Sequence, residues 1–131
     1  MTIGQRIKKI RVFRGMTQKE LGFAMGFGEH GDIRIAQYES DVRKPKAPVI
    51  LKMAKILCVS PAVFSRRVCT SKDDLMQSLF WMEEWKGGDE IYDCIKTWAH
   101  MKKQYEVGTI SKEEYFQWKI TYNSSLTGLT V

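Results

Sequence analysis

A nucleophile needs a base within reach and a third group to orient that base, and this chain is poor in both. It has two histidines and three cysteines. His30 lies in the run Gly26-Phe27-Gly28-Glu29-His30-Gly31, and His100 lies on a helical stretch with Trp98 and Lys102. Both read as solvent-facing side chains. Cys58, Cys69 and Cys94 are odd in number, widely spaced and without a CxxC pair. They are expected to be reduced, mostly buried thiols, with neither disulfide nor zinc. Glu83-Glu84 and Glu113-Glu114 are solvated helix faces, not carboxylates paired across a cleft. The glycines around Phe27 lack the strand and lysine of a phosphate-cradling loop. The expectation is no enzyme, no catalytic residue, no metal and no cofactor.

The chemistry that remains is that of fixed positive charge. The net charge is +6, unevenly divided. Residues 1–67 hold 14 Lys/Arg against 5 Asp/Glu, and residues 68–131 hold 7 against 10. The first part suits a polyanion and the second does not. Lys and Arg are also common on any solvated surface, so charge alone leaves the reading open. All four tryptophans (Trp81, Trp85, Trp98, Trp118) and four of five tyrosines follow residue 67. Large aromatics on an acidic piece suggest packing or a protein partner. At 131 residues the chain is one ordinary domain, or a small domain with an appendage, and needs no crosslink to hold a core. No apolar run approaches the ~20 residues that span a bilayer, and the N-terminus has no signal-peptide stretch. A soluble, cytoplasmic protein with no membrane partner is expected.

The elements that would carry the cations are short helices. Ile3, Ile7, Ile10 and Phe13/Arg14 recur at helical spacing, and Gly15 stops that helix. Thr17-Gln18-Lys19-Glu20 is a capping box. It opens a second helix with Leu21, Ala24 and Met25, which Gly26 ends. The glycine-rich stretch from Gly26 to Gly31 reads as a turn. Asp32 then suits the N-cap of a helix over Ile33–Ser40, with Ile35, Ala36 and Tyr38 apolar. After the basic loop Arg43-Lys44-Pro45-Lys46, a fourth helix runs from about Pro48 to Leu57, with Ile50, Leu51, Ala54 and Leu57 on one face. Ser60-Pro61 opens a short fifth helix through Phe64.

Two short helices joined by a glycine turn, the second flanked by basic loops, form a helix-turn-helix arrangement. Arg6–Gly15, Met16-Thr17-Gln18-Lys19-Glu20-Leu21, Ile35-Ala36-Gln37-Tyr38-Glu39-Ser40 and Arg43-Lys44-Pro45, in that order, resemble the lambda-repressor/Cro (XRE) family. The resemblance covers residues 3 to about 67. It implies an all-α, five-helix domain that binds operator DNA, usually as a two-fold dimer. The span from Gly26 to Tyr38 is twelve positions, three more than is commonest in that family. In this the chain resembles a long-turn subgroup with an RIAQYES-type helix. The extra Gly28-Glu29-His30 lets backbone approach phosphate closely. By the same resemblance, Arg11 and Glu39 match a buried ion pair between the first helix and the end of the recognition helix.

A recognition helix presents its N-terminal residues to base edges. Asp32, Ile33, Arg34 and Gln37 form the base-facing set. Arg34 matches guanine, Gln37 adenine and Ile33 a thymine methyl. Asp32 either accepts from cytosine or caps the helix, with capping the favoured role. Gln18, at the start of the second helix, is placed to hold a phosphate. Lys19, Arg43, Lys44 and Lys46 are further phosphate contacts.

In the second half, Ser71-Lys72-Asp73-Asp74 starts a helix. Its apolar face, Leu75, Met76, Leu79, Phe80, Met82 and Trp85, suits a core. Gly87-Gly88 ends it. Asp89 to Tyr105 makes a second long helix with Ile91, Ile95, Trp98, Met101 and Tyr105 at three-four spacing. Ser111-Lys112-Glu113-Glu114 caps a last helix lined by Tyr115, Trp118 and Tyr122. The segment Gly108 to Lys119 resembles a helical hairpin at the ends of many such regulators. The tail, Asn123 to Val131, is expected to fray. Trp81, Trp85, Trp98, Tyr105, Tyr115 and Trp118 are the expected dimer or partner surface, because three aromatic helices exceed what one hairpin buries.

The division expected is therefore residues 1–67 for DNA binding and residues 68–131 as a helical dimerisation or partner-binding region. The function expected is a sequence-specific, DNA-binding transcriptional regulator, a homodimeric repressor on double-stranded DNA. The alternative is a protein-binding inhibitor, of antitoxin or anti-CRISPR type, whose helix-turn-helix regulates its own gene.

Overall fold

The computed structural model describes residues 1–65 and 69–123. It divides into two compact units, Met1–Arg66 and Arg67–Val131. The chain is all-α, with no strand among the described residues. The last eight residues of the tail expected to fray lie outside the described part.

In the first unit, α1 (Ile3–Phe13), α2 (Gln18–Ala24), α3 (Gly31–Glu39) and α4 (Ala47–Leu57) are followed by a single 3₁₀ turn, Pro61–Phe64. The fifth helix is thus 3₁₀, opened by Ser60, whose hydroxyl accepts from the Ala62 amide. Local signals set the helix starts. Thr17 and Glu20 form the reciprocal capping box on α2, with bonds of 3.0 and 2.8 Å. Thr2 and Gln5 form another on α1. The core joins Ile7 and Ile10 of α1, Leu21 of α2, Ile35 of α3, and Met53 and Leu57 of α4. Burying each such side chain contributes about 1.5–3 kcal/mol.

Three expectations about this core are corrected. Leu51 is exposed and Met53 takes its place, because α4 turns the 50/53/54/57 side inward. Ala24 is exposed, since α2 packs through Leu21, Gly22 and Met25. Cys58 and Cys69 are exposed and Cys94 is half-buried. Cys58 ends α4 in the left-handed conformation, φ 54°, which turns it out of the helix.

Asp41, also left-handed at φ 61°, ties the end of α3 to the start of α1. Its carboxylate accepts from the Thr2 hydroxyl at 2.5 Å and the Gly4 amide at 3.0 Å. The Thr2 hydroxyl, then the Gly4 amide, hold its pKa below the ordinary 3.8. A carboxyl whose folded pKa is depressed stabilises the fold fully above its unfolded pKa and loses that stabilisation as pH falls through the folded value. Thermal melts from about pH 5 to about pH 2 are expected to show a steeper acid loss for the natural chain than for Asp41→Asn, which starts from a lower melting temperature.

The second unit holds α5 (Lys72–Lys86), α6 (Gly88–Glu106) and α7 (Lys112–Thr121). Ser71 caps α5 and a Ser111–Glu114 capping box opens α7. α6 and α7 close as a hairpin on aromatic contacts. Tyr115 stacks on Tyr105 with centroids 5.2 Å apart, and its hydroxyl accepts from the Trp98 indole at 2.8 Å. Trp118 meets Tyr122 edge-on at 5.5 Å. Tyr115 and Ile120 are buried in this hairpin. The apolar face of α5 does not form a core. Leu75, Met76, Phe80, Met82 and Trp85 are all exposed, because large apolar residues occur around the whole helix and one neighbour cannot cover them.

Candidate nucleic-acid interface

α3 owes its position to a close approach of backbones. Gly22 of α2 and Gly31 of α3 are packed so tightly that a Cβ on Gly31 lies 2.7 Å from the Gly22 carbonyl carbon. Glycine is therefore the first helical residue of α3, with His30 before it and no side-chain cap. This corrects the role favoured for Asp32. It stands inside the first turn, where a carboxylate complements the helix dipole.

The other end of α3 is fixed by charge. Glu39 is buried and takes Arg11 in a two-pronged bond, Nε to Oε1 at 2.5 Å and Nη2 to Oε2 at 3.2 Å. Arg11 Nη1 also donates to the Met16 carbonyl at 2.7 Å. The Gln18 side-chain amide donates to Glu39 Oε2 at 2.8 Å. The side chain of Gln18 thus braces the ion pair and is not free for the phosphate expected of it.

With Gly31, Ile35, Tyr38 and Glu39 turned inward, the outer face of α3 is left with Ile33 and Arg34 exposed and Gln37 half-buried. Arg43, Lys44 and Lys46 are exposed on the loop after α3, which turns back so that the Arg43 amide donates to the Gln37 carbonyl at 3.1 Å. Lys19 is exposed on α2. On the other flank of the long turn lies an open depression of about 730 Å³, lined by Lys19, Glu20, Phe23, Gly28, Glu29, His30 and Asp32. Three carboxylates against one ammonium do not suit a phosphate.

Part of the basic surplus is spent inside the fold. Arg14 Nε donates to the Leu57 carbonyl at 2.7 Å and Nη2 to the Cys58 carbonyl at 3.0 Å, closing the end of α4. Lys52 Nζ closes the end of α2 on the Met25 carbonyl at 2.9 Å. Arg6 Nη1 reaches the Val63 carbonyl at 2.7 Å. Counting charges in the sequence cannot separate these from Lys19, Arg43, Lys44 and Lys46.

The aromatic set of the second unit divides. Trp81 and Trp85 are 68% and 83% exposed, and Trp98 and Tyr105 are partly exposed. Trp118 is half-buried. Tyr115 is 8% exposed and faces its own hairpin, so it presents nothing to a partner. No helix of the described residues is long and apolar enough to cross a membrane.

Comparison with protein families matches residues 7–64, just under half of the chain, to the helix-turn-helix family. No curated protein and no solved structure matches the chain. Over residues 7–64 the chain is similar to helix-turn-helix domains.

Proposed function

We propose that the chain is a sequence-specific transcriptional regulator, a dimeric repressor of a bacterial or mobile-element promoter that acts by covering it. Residues 1–67 would carry DNA binding and residues 68–131 dimerisation. The observation that carries this reading is the outer face of α3, where Ile33, Arg34 and Gln37 face outward while both ends of the helix are locked. The Arg34 fork matches guanine O6 and N7, the Gln37 amide matches adenine N6 and N7, and Ile33 meets a thymine methyl. Asp32 is the acceptor for cytosine N4. Lys19, Arg43, Lys44, Lys46 and the backbone amide of Gln18 hold phosphates and set the register.

In a two-fold dimer, two such helices about 34 Å apart read a pseudo-palindrome. Support for the seam comes from α5, whose Leu75, Met76, Phe80, Trp81, Met82 and Trp85 are all exposed, an apolar surface of the kind that marks a protein–protein contact. The same exposure favours a second reading, in which α5 covers another protein and the domain regulates its own gene. Sedimentation of the purified chain separates the two. A dimer in which Trp85→Glu restores the monomer supports the seam, and a stable monomer supports the foreign partner.

DNA binding is tested by selecting duplexes from a random pool and titrating the winner and a scrambled version with salt. The expected result is tighter binding to the winner. Affinity for both should fall steeply, with a slope of about −0.9 per phosphate neutralised. No enrichment of any duplex removes the reading.

A further inference from the structure

The long turn between α2 and α3 contains a side chain that the DNA-reading face does not itself include. α2 ends in a Schellman motif. The Gly26 amide donates to the Phe23 carbonyl and the Phe27 amide to the Gly22 carbonyl, both at 2.9 Å. The residue in the place of Phe27 ordinarily packs back on the side chain of the last helical turn. Here that partner position is Gly22, which has no side chain. Gly26 and Gly28, at φ 80° and 79°, flank Phe27 with left-handed bends that few other residues adopt. The ring instead lies on α3. It packs against Tyr38 with centroids 6.3 Å apart, and the Arg34 guanidinium sits over it at 4.6 Å. Arg34 and Tyr38 are four residues apart, on one side of α3, so one ring spans both.

We infer that Phe27 is a positioning residue for base recognition, holding the Arg34 guanidinium on its ring in the orientation that Arg34 uses to meet guanine. This rests on the groove reading proposed above. An exposed arginine samples many rotamers and loses that freedom when it binds a base. A cation–π stack that orders it beforehand reduces this loss. Because the stack acts through Arg34 alone, it raises affinity for the selected sequence without raising affinity for DNA in general. Phe27 thereby contributes to specificity rather than to phosphate binding.

The test is a double-mutant cycle on the full chain with the duplex selected from the random pool. Phe27→Leu is expected to bind the selected duplex about two- to fivefold more weakly and the scrambled duplex as before. In an Arg34→Ala background, Phe27→Leu is expected to change nothing. Phe27→Tyr keeps a ring and is expected to restore tight binding. An equal effect of Phe27→Leu with and without Arg34 overturns the inference. Failure of the natural chain to select any duplex is a different result, and removes the groove reading itself. A measurement without DNA covers the case in which Phe27→Leu does not fold. In the natural protein, the Arg34 δ-methylene and Nε–H protons are expected to resonate upfield of ordinary arginine values under the ring current. Ordinary shifts there overturn the inference.

Discussion

Replacing Glu39 by alanine is expected to remove about 3–5 kcal/mol from the first unit, a loss on the scale of a small domain's whole stability. Arg11 and Glu39 side chains are 10% and 4% exposed, so the guanidinium left behind is a buried charge with one remaining bond, to the Met16 carbonyl. Gln18 loses its acceptor at the same time. The pair joins α1 to the end of α3, and breaking it frees α3 at that end. Hydrogen exchange of α1–α3 amides should accelerate to near the unfolded rate. The double variant Arg11→Met/Glu39→Leu is expected to recover most of the loss, because a buried pair replaced by apolar residues is often neutral. A melting curve of Glu39→Ala that overlays the natural one contradicts this account of the pair.

The second large effect is expected at the opposite end of α3. In Gly22→Ala the new methyl meets Gly31 backbone, with the Gly31 Cα at 2.7 Å. Neither atom is the tip of a flexible side chain, so one helix must move. Overpacking of this kind costs about 1–3 kcal/mol, occasionally more. The same change on a free helix is favourable by about 1 kcal/mol, so a net loss isolates the tertiary clash. Gly31→Ala should behave alike, with the Gly22 carbonyl carbon also at 2.7 Å. Either variant shifts α3 against α2 and is expected to lose selection of a duplex even where it remains helical by circular dichroism. A gain in stability for Gly22→Ala contradicts the close packing of the two glycines.

These two devices differ in how much of them the sequence reveals. The capping boxes at Thr17–Glu20 and Ser111–Glu114 are legible because both partners lie within one turn. The Arg11–Glu39 pair follows from resemblance and is present with good geometry. The start of α3 is not legible. Asp32 has the better local signal for a cap, yet the helix begins at Gly31 because only glycine fits against Gly22, nine residues earlier in the chain. Gln18 shows the same limit, since an amide at a helix start suits phosphate until Glu39 takes it. The fold bonds of Arg6, Arg14 and Lys52 likewise depend on carbonyls that are distant in sequence. In α5, apolar residues on every side remove the periodicity that would identify a core face, and the helix proves exposed. The stack of Phe27 on Arg34 is not legible in the sequence, because the turn's path depends on two left-handed glycines.

The central claim is that the outer face of α3 lies in a major groove with Arg34 on guanine. Methylation interference on the selected duplex reads it directly, since guanine N7 lies in that groove. The account predicts that methylating N7 of one or more specific guanines blocks binding of the natural chain. It also predicts that Arg34→Ala, weaker on that duplex by about 1–3 kcal/mol, no longer distinguishes methylated from unmethylated guanine there. Binding indifferent to N7 methylation at every guanine, or an interference pattern that Arg34→Ala leaves unchanged, contradicts it.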